Sequence, residues 1–459
     1  MGVLVFSRKI LTDLRSWANQ KRPKPLILRG ARQVGKTTAV ELFAEDFERF
    51  IRLNLEKNED ADHFNRKLPV KELLQSICLA KNTQIIPGRT LLFLDEIQQV
   101  PEAVTMLRYL HEELAGQLRV IAAGSLLETM LGAKQISFPV GRVQYMFLHP
   151  LTFEEYLRAL GEKSALAVYH SIPFPDFAHA TLLKHYHQYT LVGGMPEIVA
   201  TYAQSRDVVA LTPIYQSLMT AYQEDVVKYA RTEASAQVIR HTIESAPFEA
   251  GSRIKFQGFG RSNYKSREIG EALRTLERAM LLKLVYPTTA VKPPAMADRK
   301  KAPRLQFLDT GLVNYRAGLQ NDFFKYEDLH SFHQGRIAEH IVGQELLAAG
   351  IRDHAPLGFW VKEKKQSSAE VDFLLPYQNI LIPVEVKSGK SGTLRSLHQF
   401  IDQAEHAFAV RLYSGTPQIE QARTPQGKPF TLLNLPYFLT GRLMEFVQWA
   451  IALAAPAAA

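Results

Sequence analysis

One cysteine, Cys78, stands in a chain of 459 residues. That scarcity excludes a disulfide framework and any zinc site built on cysteines, and it points to a reducing compartment, the cytoplasm. Long apolar runs are missing as well. Met1 to Ser16 alternates apolar with charged side chains, so no signal-peptide core is expected there. Trp449 to Ala459 is apolar but too short to cross a bilayer, and Glu445 and Gln448 interrupt the helix ahead of it. No membrane partner is expected. The histidines of the middle third, His170, His179, His185 and His187, lack the tight spacing of a ligand set. Acidic residues are sparse in one segment, where Gly251 to Leu305 holds 13 Lys and Arg against four Asp and Glu. Its net charge of +9 equals the formal charge of the whole chain. Such a block suits a polyanion, most simply nucleic acid, or else a solvated helix face with a basic linker.

What is present is most specific near the N-terminus. An apolar strand, Leu26 to Arg29, runs into Gly30-Ala31-Arg32-Gln33-Val34-Gly35-Lys36-Thr37-Thr38, and a helix is expected from Thr38 to Phe47. Gly30 and Gly35 let the backbone bend so that its N–H groups point at phosphate oxygens. The helix N-terminus adds partial positive charge. Lys36 can reach the terminal phosphates, and the Thr37 hydroxyl can ligate Mg²⁺. The cofactors expected are ATP and Mg²⁺.

A second strand, Leu91-Leu92-Phe93-Leu94-Asp95, ends in two carboxylates, Asp95 and Glu96. Asp95 is expected on the metal side and Glu96 as the base that polarises an attacking water. The strand Arg119 to Gly124 leads to Ser125, a candidate sensor of the γ-phosphate. Arg142, ahead of a strand at Val143–Leu148, could reach the γ-phosphate of its own or a neighbouring subunit, or could equally be a salt-bridge partner. With Phe50–Leu55, these strands alternate with helices at Phe6–Gln20, Val70–Lys81 and Glu102–Leu114, which implies a parallel sheet covered on both faces.

From Thr152 to about Thr242 the pattern turns helical, as in a lid over a P-loop sheet. Next, Ser262 to Glu268 leads into a helix with an apolar stripe at Ile269, Leu273, Leu276 and Met280, and a strand follows at Leu281–Tyr286, giving helix, helix, strand. This is the outline of a winged helix-turn-helix, with Lys265, Arg267, Arg274 and Arg278 as candidate DNA contacts. In the last third, Glu339 lies on a helix, Asp372 on a strand, and Glu385-Val386-Lys387 on another strand, where spacing puts Glu385 and Lys387 on one face. Two acids and a lysine can hold Mg²⁺ at Asp372 and Glu385 for phosphodiester hydrolysis, or can form an exposed ion pair on a half-buried strand.

These motifs together resemble a bacterial and archaeal family of AAA+-like P-loop ATPases fused to a C-terminal domain of unknown function with a restriction-endonuclease-like, PD-(D/E)xK fold. Further matching stretches are Gly193-Gly194-Met195-Pro196, Phe307-Leu308-Asp309-Thr310-Gly311-Leu312, Gly335 with Glu339, and Glu370-Val371-Asp372. The resemblance implies an α/β chain with an ATPase core at residues 1–150, a helical lid at 151–245, a basic winged-helix-like segment at 246–303 and a nuclease-like domain at 304–459. It implies a homo-oligomer, since related ATPases complete their sites in trans. The expected function is ATP hydrolysis coupled to binding or remodelling of DNA, with cleavage by the C-terminal domain left open. The alternative is a nucleotide-gated signalling or scaffold protein whose C-terminal domain binds a protein partner.

Overall fold

The computed structural model describes residues 6–66, 68–124, 141–227, 230, 232–319, 336–350, 357–362, 369–389 and 392–454. Its first sheet is built from β1 (Leu26–Arg29), β2 (Arg49–Asn54), β3 (Thr90–Asp95), β4 (Arg119–Ala123) and β5 (Gln144–Phe147), in the order β2-β3-β4-β1-β5. All four pairings are parallel. Every residue of β3 is buried, because each face of the sheet is covered. Leu26, Leu28, Leu91, Phe93 and Ile121 pack with the helices Ile10–Ala18 and Lys36–Ala44. The alternate residues Ile27, Leu92, Leu94 and Val120 pack with Val70–Ala80 and Pro101–Leu114. Strand alternation thus assigns each helix pair to a side.

Six helices follow: Phe153–Ala159, Lys163–Tyr169, His179–Val192, Pro196–Ser205, Thr212–Val227 and Glu233–Ser245. The first starts sharply because Thr152 and Glu155 form a reciprocal capping box. Glu155 also pairs with buried Arg8 at 2.9 Å, which ties the chain's first turn to this helical block.

The third region begins with the helix Ser266–Arg278 and a two-stranded antiparallel hairpin, β6 (Leu282–Val285) with β8 (Arg304–Phe307). Between them, β7 (Pro287–Thr288) leaves the hairpin and joins a second sheet. That sheet contains β9 (Gly358–Val361), β10 (Glu370–Tyr377), β11 (Ile380–Val386), β12 (Phe408–Tyr413), β13 (Gln418–Arg423) and β14 (Pro429–Pro436), in the order β13-β14-β12-β11-β10-β9-β7. The helices Arg336–Ala349, Arg395–Gln403 and Leu443–Ala454 accompany it. The boundary expected after residue 303 therefore falls inside the β6–β8 hairpin. The backbone groups of β6 need a partner strand, and that partner lies beyond a long basic loop.

Helical and sheet regions are locked by a buried joint. Gly193 has φ 78°, and a Cβ there would come within 2.1 Å of the Asp309 carboxylate. At Gly194 a Cβ would lie 2.2 Å from the Leu151 carbonyl oxygen. The Gly194 N–H donates to Asp309 at 2.6 Å, and Asp309 caps the helix Thr310–Arg316 through the Leu312 N–H. Gln344, on Arg336–Ala349, donates to Asp309 and accepts from the Thr310 N–H. Its neighbour Glu345 accepts from the Phe153 N–H at 3.0 Å and from the Tyr189 hydroxyl at 2.7 Å. Two of the motifs that carried the resemblance, far apart in sequence, thus meet face to face.

Candidate functional site

The phosphate loop leaves the carboxyl end of β1 and enters the helix Lys36–Ala44. Gln33 and Gly35 adopt positive φ, 63° and 91°, which turns the loop inward on itself. A Cβ at Gly30 would stand 2.5 Å from the Leu148 carbonyl oxygen, so the loop's start packs against β5's exit with no room to spare. Ala31 and Val34 are buried, while Gln33 and Thr38 are exposed. Lys36 Nζ donates to the carbonyl oxygens of Gly30 and Ala31 at 2.9 and 2.8 Å. Burial pulls its ammonium down to about 8, against the opposing pull of Glu96 and Asp95. It is charged at neutral pH.

Thr37 and Asp95 are brought together: the Thr37 hydroxyl donates to Asp95 Oδ2 at 3.1 Å. Both are hard oxygen donors, so the pair fits a Mg²⁺ ion. Glu96 follows in a left-handed conformation, φ 52°, which turns it off the strand toward the loop. Burial pushes its carboxyl pKa upward, against a hydrogen bond from Gln98. A Cβ at Gly124, at the end of β4, would stand 2.1 Å from Gln98 Oε1, so any larger residue there would displace the Gln98 amide. Ser125 lies outside the described residues, as does Gly335.

Arg142 does not join this group. It precedes Gln144, which pairs with Leu26 at the start of β1. The phosphate loop leaves the other end of β1, so the arginine sits at the opposite edge of the sheet. Its Nε donates to Glu112 at 3.1 Å. The expectation that it reaches the γ-phosphate of its own subunit is corrected by this placement.

Several residues at the site were not found from sequence. Arg52 on β2 pairs with Asp95 at 2.8 Å. Asp225, on Thr212–Val227, pairs with Arg32 of the loop at 2.7 Å, and Tyr222 donates to the Arg32 carbonyl. Arg8 donates to the Val34 carbonyl at 3.0 Å. These contacts span tens to hundreds of positions, and no local pattern marks them.

In the C-terminal sheet, Asp372 and Glu385 stand one step beyond the Phe373–Val384 pair on neighbouring strands. The Val386 N–H donates to Asp372 Oδ2 at 2.8 Å, and Lys387 Nζ donates to Glu385 Oε1 at 2.6 Å. Glu339 joins them through Arg304, whose guanidinium contacts Glu339 at 3.2 Å and Asp372 Oδ1 at 3.5 Å. Burial, then the charge of Asp372, pushes the carboxyls of Glu339 and Glu385 upward. Both Asp372 oxygens are thus committed to protein donors. Among the described residues, no three His, Cys, Asp or Glu side chains are grouped to hold a metal ion. The expected Mg²⁺ at Asp372 and Glu385 does not fit, because an arginine already fills the cluster.

On Ser266–Arg278, Ile269, Leu273 and Leu276 face inward, and Arg267, Glu271, Arg274 and Arg278 form the exposed stripe. Lys265 is also exposed. Six of the 13 basic residues in the 251–305 block are spent on internal ion pairs: Arg253, Arg267, Lys283, Lys292, Lys301 and Arg304. Arg274 and Arg278 form no ion pair among the described residues. The Arg278 carbonyl accepts from Arg29, directly ahead of the phosphate loop, at 3.4 Å.

Residues 22–157 match the model of an AAA domain. Residues 183–322 and 334–436 match two domains of unknown function, DUF8612 and DUF4143. The N-terminal region is an AAA-type P-loop ATPase domain. The curated proteins offer no match. Among solved structures the chain is similar to the Aeropyrum pernix ORC2 protein in its ADPNP-ADP complexes, at 12% identity over 71% of this chain and 97% of that one, TM-score 0.34. It is also similar to the Aeropyrum pernix ORC1 protein in complex with DNA, at 14% identity over 70% and 95%, TM-score 0.26. For C. elegans PCH-2 the figures are 12% identity, 44% and 65%, with TM-score 0.28.

Proposed function

We infer that this chain, which begins with an AAA-type ATPase domain, hydrolyses ATP and couples that turnover to binding or remodelling of DNA. The observation that carries the ATPase reading is the meeting of Lys36, Thr37, Asp95 and Glu96 at the carboxyl edge of one parallel sheet, where such folds bind ligands. The loop amides and Lys36 hold the triphosphate, and Glu96 takes the proton of the attacking water. Thr37 and Asp95 would hold Mg²⁺, which neutralises charge developing on the phosphates when it is bound. Arg142, exposed on the far edge, suits a neighbouring subunit's site in a homo-oligomer.

The DNA part rests on the exposed arginines of Ser266–Arg278 and on its place ahead of the β6–β8 hairpin, which support a winged-helix-like unit. In the C-terminal region, helix, three strands, helix and strand follow one another from Arg336 to Tyr413. That order, with Glu339, Asp372, Glu385 and Lys387 gathered on it, supports a PD-(D/E)xK-like fold. We derive no cleavage step, since the cluster as built does not fit a metal ion. The same arginine favours a second reading, in which the C-terminal domain binds a protein partner and cuts nothing.

The test is the steady-state ATPase rate of the full chain, alone and with single-stranded, duplex, forked and four-way-junction DNA. Stimulation by one of these is expected. A flat response with real basal turnover would end the DNA reading and favour the protein-partner switch.

A further inference from the structure

Two residues of one helix grip the middle of the phosphate loop. Tyr222 and Asp225 lie three positions apart on Thr212–Val227, a spacing that puts them on one face. The Tyr222 hydroxyl donates to the Arg32 carbonyl at 3.0 Å, and Arg32 Nη1 donates to Asp225 Oδ1 at 2.7 Å. Backbone and side chain of one loop residue are thus both fixed by the helical block. Two positions on, Arg8 donates to the Val34 carbonyl at 3.0 Å. In a trans peptide the N–H points opposite to the C=O, so the amides of Gln33 and Gly35 face away from these donors.

The side chain of Arg32 is 39% exposed, whereas that of Asp225 is 10% exposed. Their pair uses one guanidinium nitrogen, and among the described residues Arg32 makes no other side-chain hydrogen bond. Its Nε and Nη2 therefore remain as donors on a loop whose amides suit phosphate oxygens. Lys36 differs, being buried with its ammonium on the carbonyls of Gly30 and Ala31. That ammonium feels Glu96, Asp95, Arg32 and Asp225, so these groups share one neighbourhood. By charge alone, a carboxylate placed there repels a polyphosphate. Anchoring a guanidinium reverses the effect, because a long side chain ordered beforehand loses less freedom when its ligand arrives.

We propose that Arg32 is a second phosphate-binding cation of the nucleotide site, directed at the terminal phosphate of a triphosphate, and that Asp225 is its positioning residue. The proposal deepens the ATPase reading, on which it rests. A guanidinium presents N–H groups in a planar fork that matches phosphate oxygens. Lys36 reaches the terminal phosphates, and Arg32 stands beside it. The added charge counts most against the ligand with the most negative charge, so it favours triphosphate over diphosphate. Arg142 does not reach the γ-phosphate of its own subunit, and Arg32 supplies an in-subunit cation in its stead. The helical block becomes part of the nucleotide site rather than a cover over it.

The test is calorimetry of the full chain with Mg²⁺ and either β,γ-imido-ATP or ADP. The natural protein is expected to bind both; if it binds neither, the ATPase reading falls and this inference with it. Arg32→Gln is expected to weaken the imido analogue by about tenfold or more and ADP by much less, with Arg32→Lys keeping part of the preference. A merely structural role would weaken both nucleotides equally. Asp225→Asn is expected to weaken the imido analogue too, and to add little to Arg32→Gln in the double variant. If Asp225→Asn tightens binding, as loss of a negative charge alone would do, the positioning role is overturned. If Arg32→Gln leaves the ratio of the two affinities unchanged, the phosphate contact is overturned while the ATPase reading stands. Should Asp225→Asn fail to fold, Arg32→Gln against Arg32→Lys still decides, since that side chain is half-exposed.

Discussion

Replacing Glu345 by glutamine should stabilise the protein at alkaline pH and do little in acid. Glu345 is 1% exposed. One oxygen accepts from the Phe153 N–H and the Tyr189 hydroxyl, while Oε2 is buried without a partner. Burial raises its carboxyl from 4.5 to about 7, against the two hydrogen bonds. The sign follows from proton counts. Below 4.5 the carboxyl is protonated in both folded and unfolded chains and carries no penalty. Between 4.5 and 7 the unfolded chain releases the proton and the folded one keeps it, so stability falls as pH rises. Above 7 the penalty is constant. From pH 5 to pH 8.5 the natural protein should lose roughly 2.5 kcal/mol through this residue. Glutamine keeps the accepting oxygen and cannot ionise, so the variant loses none of it. The measurement is the urea unfolding midpoint of both proteins at pH 5 and pH 8.5. Taking the difference between proteins at each pH cancels other titrating groups distant from this one. A variant equally destabilised at both values would refute the burial argument, since the cost would then be steric or a lost hydrogen bond.

Other outcomes follow from the same geometry. Glu96→Gln should still bind ATP but turn over about 10² to 10⁴-fold more slowly, and Lys36→Ala should abolish turnover; normal rates in a phosphate-release assay for Glu96→Gln would remove it as the base. Gly194→Ala puts a methyl 2.2 Å from the Leu151 carbonyl oxygen, backbone that cannot swing away, and should cost about 1–3 kcal/mol or more. An unshifted urea midpoint would mean that the joint with Asp309 yields. For duplex DNA, removing charge from both Arg274 and Arg278 should reduce the slope of log affinity against log salt by about 1.8. Arg267→Gln should lower it by less than the about 0.9 expected of one unpaired charge, because Glu271 already pairs with that arginine at 3.1 Å; a full reduction of about 0.9 would show that internal pairing does not matter to binding.

Local signals made the candidate nucleotide site legible. The chain from Leu26 to Thr38 reads correctly as strand, loop and helix because glycine positions, strand apolarity and the following helix are all properties of adjacent residues. The helix begins at Lys36, two residues earlier than the pattern of side chains implied, since Gly35 in its left-handed turn already caps it. The strands ending at Asp95 and Ala123 were found within a residue for the same reason. Sequence spacing also put Glu385 and Lys387 on one face, where they are hydrogen-bonded. Arg142 shows the limit. Its position ahead of a strand was readable, but which edge of the sheet it occupies depends on β5 pairing parallel to β1.

The sequence by itself determined that a Gly-x-x-x-x-Gly-Lys-Thr loop is carried on a parallel sheet, with helices after it and a basic segment beyond. Those features are set by periodicity and by short motifs whose chemistry is local. Tertiary structure alone decided which charges are available and which are spent. Composition counts Arg304 as one of 13 basic residues able to meet a polyanion, whereas the fold buries it against three acids. It likewise decided that Gly194 meets Asp309 and that Asp225 holds Arg32. Electrostatic interaction depends on distance and burial, and both are fixed by packing between segments that no sequence window contains.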